Sequence, residues 1–364
     1  MAKFSEVLTI INGKNQSKVE NPNGRYPIFG SGGIMGYADD YLCDAETVVI
    51  GRKGSINKPI FVEEPFWNVD TAFGLVADRK VLHPKFLFYF CVHFDFEQLN
   101  TTVTIPSLTK ANLLNIEMPL PNLDVQQVIV DRLSKIDSLI ALRKEQLAKL
   151  DELIKARFVE MFGSLHDNQK GFEIVTIDDL CTLIKDGTHQ TPTYTEDRKA
   201  GFKFLSSKDV MTQKICWEGI KYIPADLHEK LYATIKPRRN DILMSKNGVN
   251  YGVAAVNDTD EIFDIYVSLA LLRPKVDRVN PVFFRCAINN QDTKRQFDGS
   301  IKGIGVPNLH LGEIKKTKIL VPPMNQQNEF VAFVEQTDNS KLTIQASLDK
   351  LEIMKKALMQ EYFG

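Results

Sequence analysis

Apolar residues recur at steps of three and four through the middle of the chain, at Ile129, Leu133, Ile136, Ile140, Leu147, Leu150, Ile154 and Met161. That heptad-like stripe predicts a long amphipathic helix whose seam seeks a partner helix, with Arg143 and Arg157 interrupting it. Asp124 is the expected N-cap, since Pro119 and Pro121 block an earlier start, and Gly163 is the expected stop. A second stripe closes the chain, at Phe330, Val334, Ile344, Leu348, Leu351, Leu358 and Tyr362, interrupted by Thr337, Lys341 and Lys355. The segments ahead of each stripe read differently. YPIFGSGGIMGY (Tyr26–Tyr37) predicts two extended segments about a Gly-rich turn, Thr47–Gly51 is a β-branched run, and Val69–Val76 is another strand. LHPKFLFYFCVHF (Leu82–Phe94) predicts a buried helix with proline in its first turn.

The two stripes belong to a repeat. Residues 104–163 align on residues 305–364 without a gap, and fourteen of the sixty positions are identical. The matches include Pro106/Pro307, Leu108/Leu309, Pro121/Pro322, Gln126/Gln327, Asp137/Asp338 and Phe162/Phe363. Upstream the echo continues with a drifting offset. Leu183–Gly187 follows Thr9–Gly13, Asp241–Gly248 follows Thr47–Gly54, and Pro281–Phe284 follows Pro84–Leu87. Insertions therefore fall early in the second half, while the helical end is fixed. A repeat on this scale governs the reading of the fold. It predicts a globular unit (1–123), a long helix (124–163), a second globular unit (164–323) and a second long helix (324–364), with the helices paired antiparallel under a pseudo-twofold relation. The fold class is α+β.

Composition is ordinary for a globular protein, 43% hydrophobic and 25% charged over 364 residues. The sequence has no apolar run long enough for a membrane span and shows no secretory leader, so a cytoplasmic setting is expected. Five widely spaced cysteines without a CxxC pair suit reduced thiols better than a metal site. The net charge of −1 excludes a uniformly basic nucleic-acid binder, and residues 1–120 carry 11 basic against 13 acidic side chains. Basic residues cluster only locally, at Lys236–Arg239 and Lys315–Lys318. No Walker loop, HExxH, GxSxG or methyltransferase signature is present, and the six histidines are scattered.

The candidate chemistry lies on turns. Arg52, Lys53 and Ser55, flanked by Gly51 and Gly54 after a buried strand, suit contacts with phosphates or guanine edges, with Asn57 and Lys58 following. The second half repeats that turn with Lys246, Asn247, Asn250 and Tyr251. Ser31 in the Gly-rich turn is a weaker candidate. Lys302, in the glycine-rich loop before Pro307, and its hydroxyl counterpart Thr104 are candidates for backbone contact.

These segments carry a resemblance. YPIFGSGGIMGY, VVIGRKGSI, and the Pro-x-Leu…Pro-Leu-Pro…Gln-Gln-helix series, which recurs as VPNLHLGEIKKTKILVPPMNQQNEF, resemble the DNA-sequence specificity subunit of type I restriction–modification enzymes. The resemblance covers essentially the whole chain, though Lys185–Arg239 carries little recognisable pattern. It implies two tandem target recognition domains separated by a coiled-coil spacer, each reading half of a split double-stranded DNA site. It implies two copies of the methylation subunit docked on the helices, and restriction subunits joining the full complex. S-adenosylmethionine, ATP and Mg would sit on those partners, and this chain would bind no cofactor and catalyse nothing. The acidic first unit implies weak DNA affinity for the isolated chain. The competing readings are a coiled-coil scaffold without a nucleic-acid role and, further off, a stand-alone enzyme.

Overall fold

The computed structural model describes residues 1–100, 106–301 and 307–364. It divides into two compact units, residues 1–146 with 344–364, and residues 147–343. The division runs through both long helices rather than along the boundaries between globular segments and helices.

In the first unit, strands β1 (Leu8–Asn12), β4 (Thr47–Gly51), β5 (Ile60–Val62) and β7 (Ala72–Ala77) form an antiparallel sheet in the order β1-β7-β4-β5. A three-stranded sheet, β3-β2-β6, is built from β2 (Tyr26–Gly30), β3 (Gly33–Ala38) and β6 (Trp67–Asn68), with β6 parallel to β2. Helix α1 (Pro84–His93) follows and helix α2 (Leu123–Phe162) leaves the unit. All five residues of β4 are buried, as an unbroken β-branched run in a sheet covered on both faces should be.

The second unit has the same plan. Strands β8 (Cys181–Asp186), β11 (Ile242–Ser245), β12 (Ala254–Val256) and β14 (Leu269–Pro274) pair in the order β8-β14-β11-β12. Strands β9 (Phe202–Leu205), β10 (Lys221–Ile223) and β13 (Phe263–Ile265) pair as β10-β9-β13, again with one parallel pair. Helix α3 (Ala225–Tyr232) lies in the inserted stretch, α4 (Pro281–Ile288) matches α1, α5 (Gln291–Ser300) follows it, and α6 (Met324–Phe363) matches α2. The inserted stretch packs a further core against the sheet, where Leu205, Val210 and Ile235 meet Leu243, Phe263 and Leu271. The echo of Gly13 in Gly187 has a steric cause. A Cβ there would lie 1.8 Å from the Val69 carbonyl in one unit and 2.0 Å from the Ile265 carbonyl in the other.

The long helices pair antiparallel inside each unit. In the first, Arg132, Asp137 and Lys144 of α2 meet Tyr362, Lys355 and Glu352 of α6 in descending order. In the second, Asp151 and Arg157 of α2 meet Lys341 and Glu329 of α6. The paired helices share each unit's core. Phe363 stands edge-on to Phe86 at 5.1 Å, and its counterpart Phe162 stands edge-on to Phe283 at 5.2 Å. Gly163, at φ 74°, ends α2 as expected. The start differs. Helix begins at Leu123, and Asn122, not Asp124, caps it by accepting from the Val125 amide at 3.0 Å. Asn122 stands three residues before Val125, the spacing from which an N-cap side chain reaches an amide of the first turn.

One buried polar group ties each globular segment to its helix. Gln126 is 0% exposed. Its carbonyl accepts from the His83 amide at 2.8 Å, and its NH2 donates to Val81 O and Pro121 O, each at 2.8 Å. Gln327, 1% exposed, accepts from the Asn280 amide at 2.8 Å and donates to Arg278 O and Pro322 O at 3.2 and 2.9 Å. Thus three backbone groups from two segments are satisfied by one carboxamide. His83 also caps α1 through Nδ1, which accepts from the Lys85 amide at 3.1 Å. Burial holds that imidazole below its ordinary value, against the pull of Glu46 and Asp131, so Nδ1 stays free to accept.

Replacing Gln126 by Leu removes the partner of three part-buried backbone groups. Urea denaturation of Gln126→Leu is expected to show a loss of about 3 kcal/mol, since each unmatched buried group costs roughly 1–3 kcal/mol and packing recovers part. The exposed neighbour change Gln127→Ala is expected to stay within about 0.5 kcal/mol.

Candidate nucleic-acid interface

Two of the sequence repeats that stand far apart along the chain meet in space. In the first unit the Gly54 amide donates to Pro106 O at 3.1 Å and the Leu108 amide to Arg52 O at 2.9 Å. In the second the Gly248 amide donates to Pro307 O at 3.1 Å and the Leu309 amide to Lys246 O at 2.7 Å. Each turn that follows β4 or β11 is therefore closed by the Pro-x-Leu segment, whose leucine is buried. Gly54 (φ 82°) and Gly248 (φ 84°) adopt the left-handed conformation that lets the turn reverse. On the opposite side, the Arg52 and Lys53 amides donate to Thr71 O, and the Lys246 amide to Ser268 O. The backbone of the turn is thus held on both sides, and the side chains are left to face outward or inward.

They do so differently in the two units. Arg52, Lys53 and Lys58 are exposed and make no ion pair among the described residues; the Arg52 guanidinium lies 5.7 Å from the centre of the Phe73 ring. Ser55 is half-buried. A side chain at Gly51 would come within 3.0 Å of the Ser31 Cβ, which places Ser31 against this turn. Asn57 serves the fold: its carbonyl accepts from the Phe96 amide and its NH2 donates to Asp95, both at 2.7 Å.

In the second unit, Asn247 and Asn250 keep side-chain amides without a protein partner among the described residues. Lys246 departs from the expectation that it offers a cation. It is 5% exposed, and its ammonium lies 2.5 Å from Asp186 Oδ2, because β8 brings that carboxylate beside the end of β11. Tyr251 is also engaged. Its hydroxyl donates to Asp298 at 2.5 Å and Lys294 sits 3.4 Å from its ring centre. Thr104 and Lys302 lie outside the described residues.

Half of the six cations in the local basic clusters are ion-paired. Arg239 forks onto Asp260, Lys315 pairs with Asp178 and Lys316 with Glu313. Two features escaped the sequence reading. Ile34 and Met35 on β3, beside Ser31, are 58% and 62% exposed, and Val249 at the tip of the second turn is 85% exposed. The signal for them was an apolar residue inside a Gly- or Asn-rich turn, where no core position exists to receive it.

Burial opposes ionisation of Asp186, but the hydrogen bond and charge of Lys246, with His189 adding, hold its carboxyl below the usual range. A depressed carboxyl contributes stability that is complete above its unfolded value, near 3.9, and is lost as pH falls through the folded value. Asp186→Asn is expected to be markedly less stable than the wild type at pH 7, with the gap closing below about pH 4; chemical denaturation at both pH values measures it.

The family described as "Type I restriction modification DNA specificity domain" matches residues 1–152 and 169–352. A putative type I restriction enzyme specificity subunit of Haemophilus influenzae is 24% identical, across 98% of this chain and 94% of that one. The MjaVIII specificity subunit of Methanocaldococcus jannaschii is 23% identical, across 87% and 75%. The EcoBI specificity subunit of Escherichia coli is 20% identical, across 89% and 74%. In fold, the chain is similar to the crystal structure of a type I restriction–modification S subunit from M. genitalium, with a TM-score of 0.59 at 17% identity, covering 100% of this chain and 95% of that one. Two matched family segments, one per half, agree with two units of one topology. No helix among the described residues is long and apolar enough to cross a membrane. The chain belongs to the type I restriction–modification DNA specificity family, and it is a non-catalytic subunit that reads DNA sequence.

Proposed function

We propose that the two units are unlike readers on one scaffold, each taking half of a split double-stranded DNA site. The observation that carries this is the pair of closed turns at equivalent places in two units of the same topology, with free cations on one and free amides on the other. Arg and Lys serve phosphates and guanine, while Asn serves adenine edges, so unlike turns favour an asymmetric site. Linking two weak contacts through one scaffold raises avidity without new contacts. The paired helices set the gap between half-sites and carry two methylation subunits; restriction subunits complete the enzyme. Exposed apolar residues on the helices, Val125, Val128, Ile353 and Met354 in the first unit and Leu153 and Leu342 in the second, support a partner surface there. S-adenosylmethionine, ATP and Mg belong to those partners, which methylate adenine and cut in the cytoplasm.

In a complex reconstituted with the methylation subunit, the double variant Arg52→Ala/Lys53→Ala is expected to bind target DNA at least tenfold more weakly. The slope of log affinity against log salt is expected to be shallower by about two, one for each lost phosphate contact. Unchanged affinity, slope and methylation would favour a scaffold without a nucleic-acid role.

A further inference from the structure

The second unit contains a cavity of about 240 Å³ that the reading of DNA does not use. Its walls come from the α2 face around Asp151 and Phe158, the segment Met211–Lys214, the end of α4 and the α6 face around Asp338. Arg285 projects from α4 into its lining and is only 8% exposed. Its guanidinium is poorly served. Nη1 reaches the Gln213 carbonyl at a long 3.4 Å, Nη2 reaches the Cys286 thiol at 3.3 Å, and Nε is buried with no acceptor. No described carboxylate pairs with it.

The acids of the cavity are already spoken for. Asp151 pairs with Lys341 at 2.5 Å, and Asp338 pairs with Lys341 at 3.2 Å and Lys214 at 3.5 Å. Lys155 also lines the cavity and has no ion pair among the described residues. Four cations thus face two carboxylates, and Asp338 and Asp151 act on the buried Arg285 only from beyond ion-pair distance. A buried, unpaired guanidinium is costly, and an anion with several oxygens relieves it best.

We propose that this cavity binds a small phosphomonoester, with its phosphate on Arg285. The surplus of two positive charges matches the roughly −1.5 to −2 charge of a phosphomonoester at pH 7 rather than the single charge of a carboxylate. The space exceeds what a phosphate alone fills, and Ile154, Phe158 and Met211 supply an apolar wall for the rest of the molecule. The site is not a by-product of the repeated fold. The counterpart of Arg285 in the first unit is Phe88, packed 5.8 Å from Phe61, the counterpart of Lys341 is Ile140, and Met211–Lys214 lies in the inserted stretch.

Cys286 lines the cavity and serves as a reporter, because Cys43, Cys91 and Cys181 are buried. In the full chain carrying Cys216→Ser, maleimide labelling of Cys286 is measured with inorganic phosphate, a nucleoside monophosphate, succinate or chloride at fixed ionic strength. Phosphate and the nucleotide are expected to slow labelling at least fivefold, the nucleotide at the lower concentration. Arg285→Gln is expected to raise the half-protection concentration at least tenfold. Lys155→Ala/Lys214→Ala, which alters only residues at the rim, is expected to raise it several-fold and keeps the test decisive if the Arg285 variant does not fold. Equal protection by chloride or succinate, protection undiminished in the variants, or protection by duplex DNA alone would overturn the proposal.

Discussion

Two buried carboxamides hold this architecture together. Gln126 and Gln327 each sit one turn inside a long helix, and each satisfies an amide and a carbonyl of the segment leading into α1 or α4 as well as a carbonyl of the proline-rich exit. A hydrophobic contact would fix only proximity. Three directional bonds from one planar group fix the angle at which the helix leaves the sheet. The orientation of everything a unit displays relative to its helix depends on that angle. This explains why glutamine recurs at the one place where any apolar residue would pack.

On that common frame the two units differ at the turns proposed to meet DNA. The backbone of the closed turn is the same in both, held by a proline carbonyl on one side and by Thr71 or Ser268 on the other. The side chains are not. Arg52 and Lys53 remain free, whereas the lysine at the corresponding place is neutralised by Asp186, leaving Asn247 and Asn250. A scaffold that fixes the turn and varies its side chains can change what is read without changing the fold.

Much of this was legible because the repeat carried it. The long helices, the helix at Leu82–Phe94, the β-branched strand and the stop at Gly163 follow from periodicity and from glycine and proline positions. The pairing of Gly13 with Gly187 was visible as a motif, and close backbone approach is its cause. Other features depended on what the fold brings together. Asp124 looks like a cap by type, but it lies inside the first turn, and Asn122 holds the position from which a side chain reaches the Val125 amide. Lys246 looked like a free cation because Asp186 stands 60 residues away in sequence. Asn57 looked like a DNA contact, yet it holds Asp95 and Phe96 in place. The cavity around Arg285 could not be read at all, since its walls come from four separate stretches.

The central claim is that two unlike readers share one scaffold whose helices set the distance between what they read. Methylome sequencing tests it, in cells that express the methylation subunit with either this chain or a form carrying four added residues in each long helix. The account predicts a motif of two different specific halves at one constant gap, with the lengthened form altering the gap and neither half. A continuous or symmetric motif, or a gap indifferent to helix length, would contradict it.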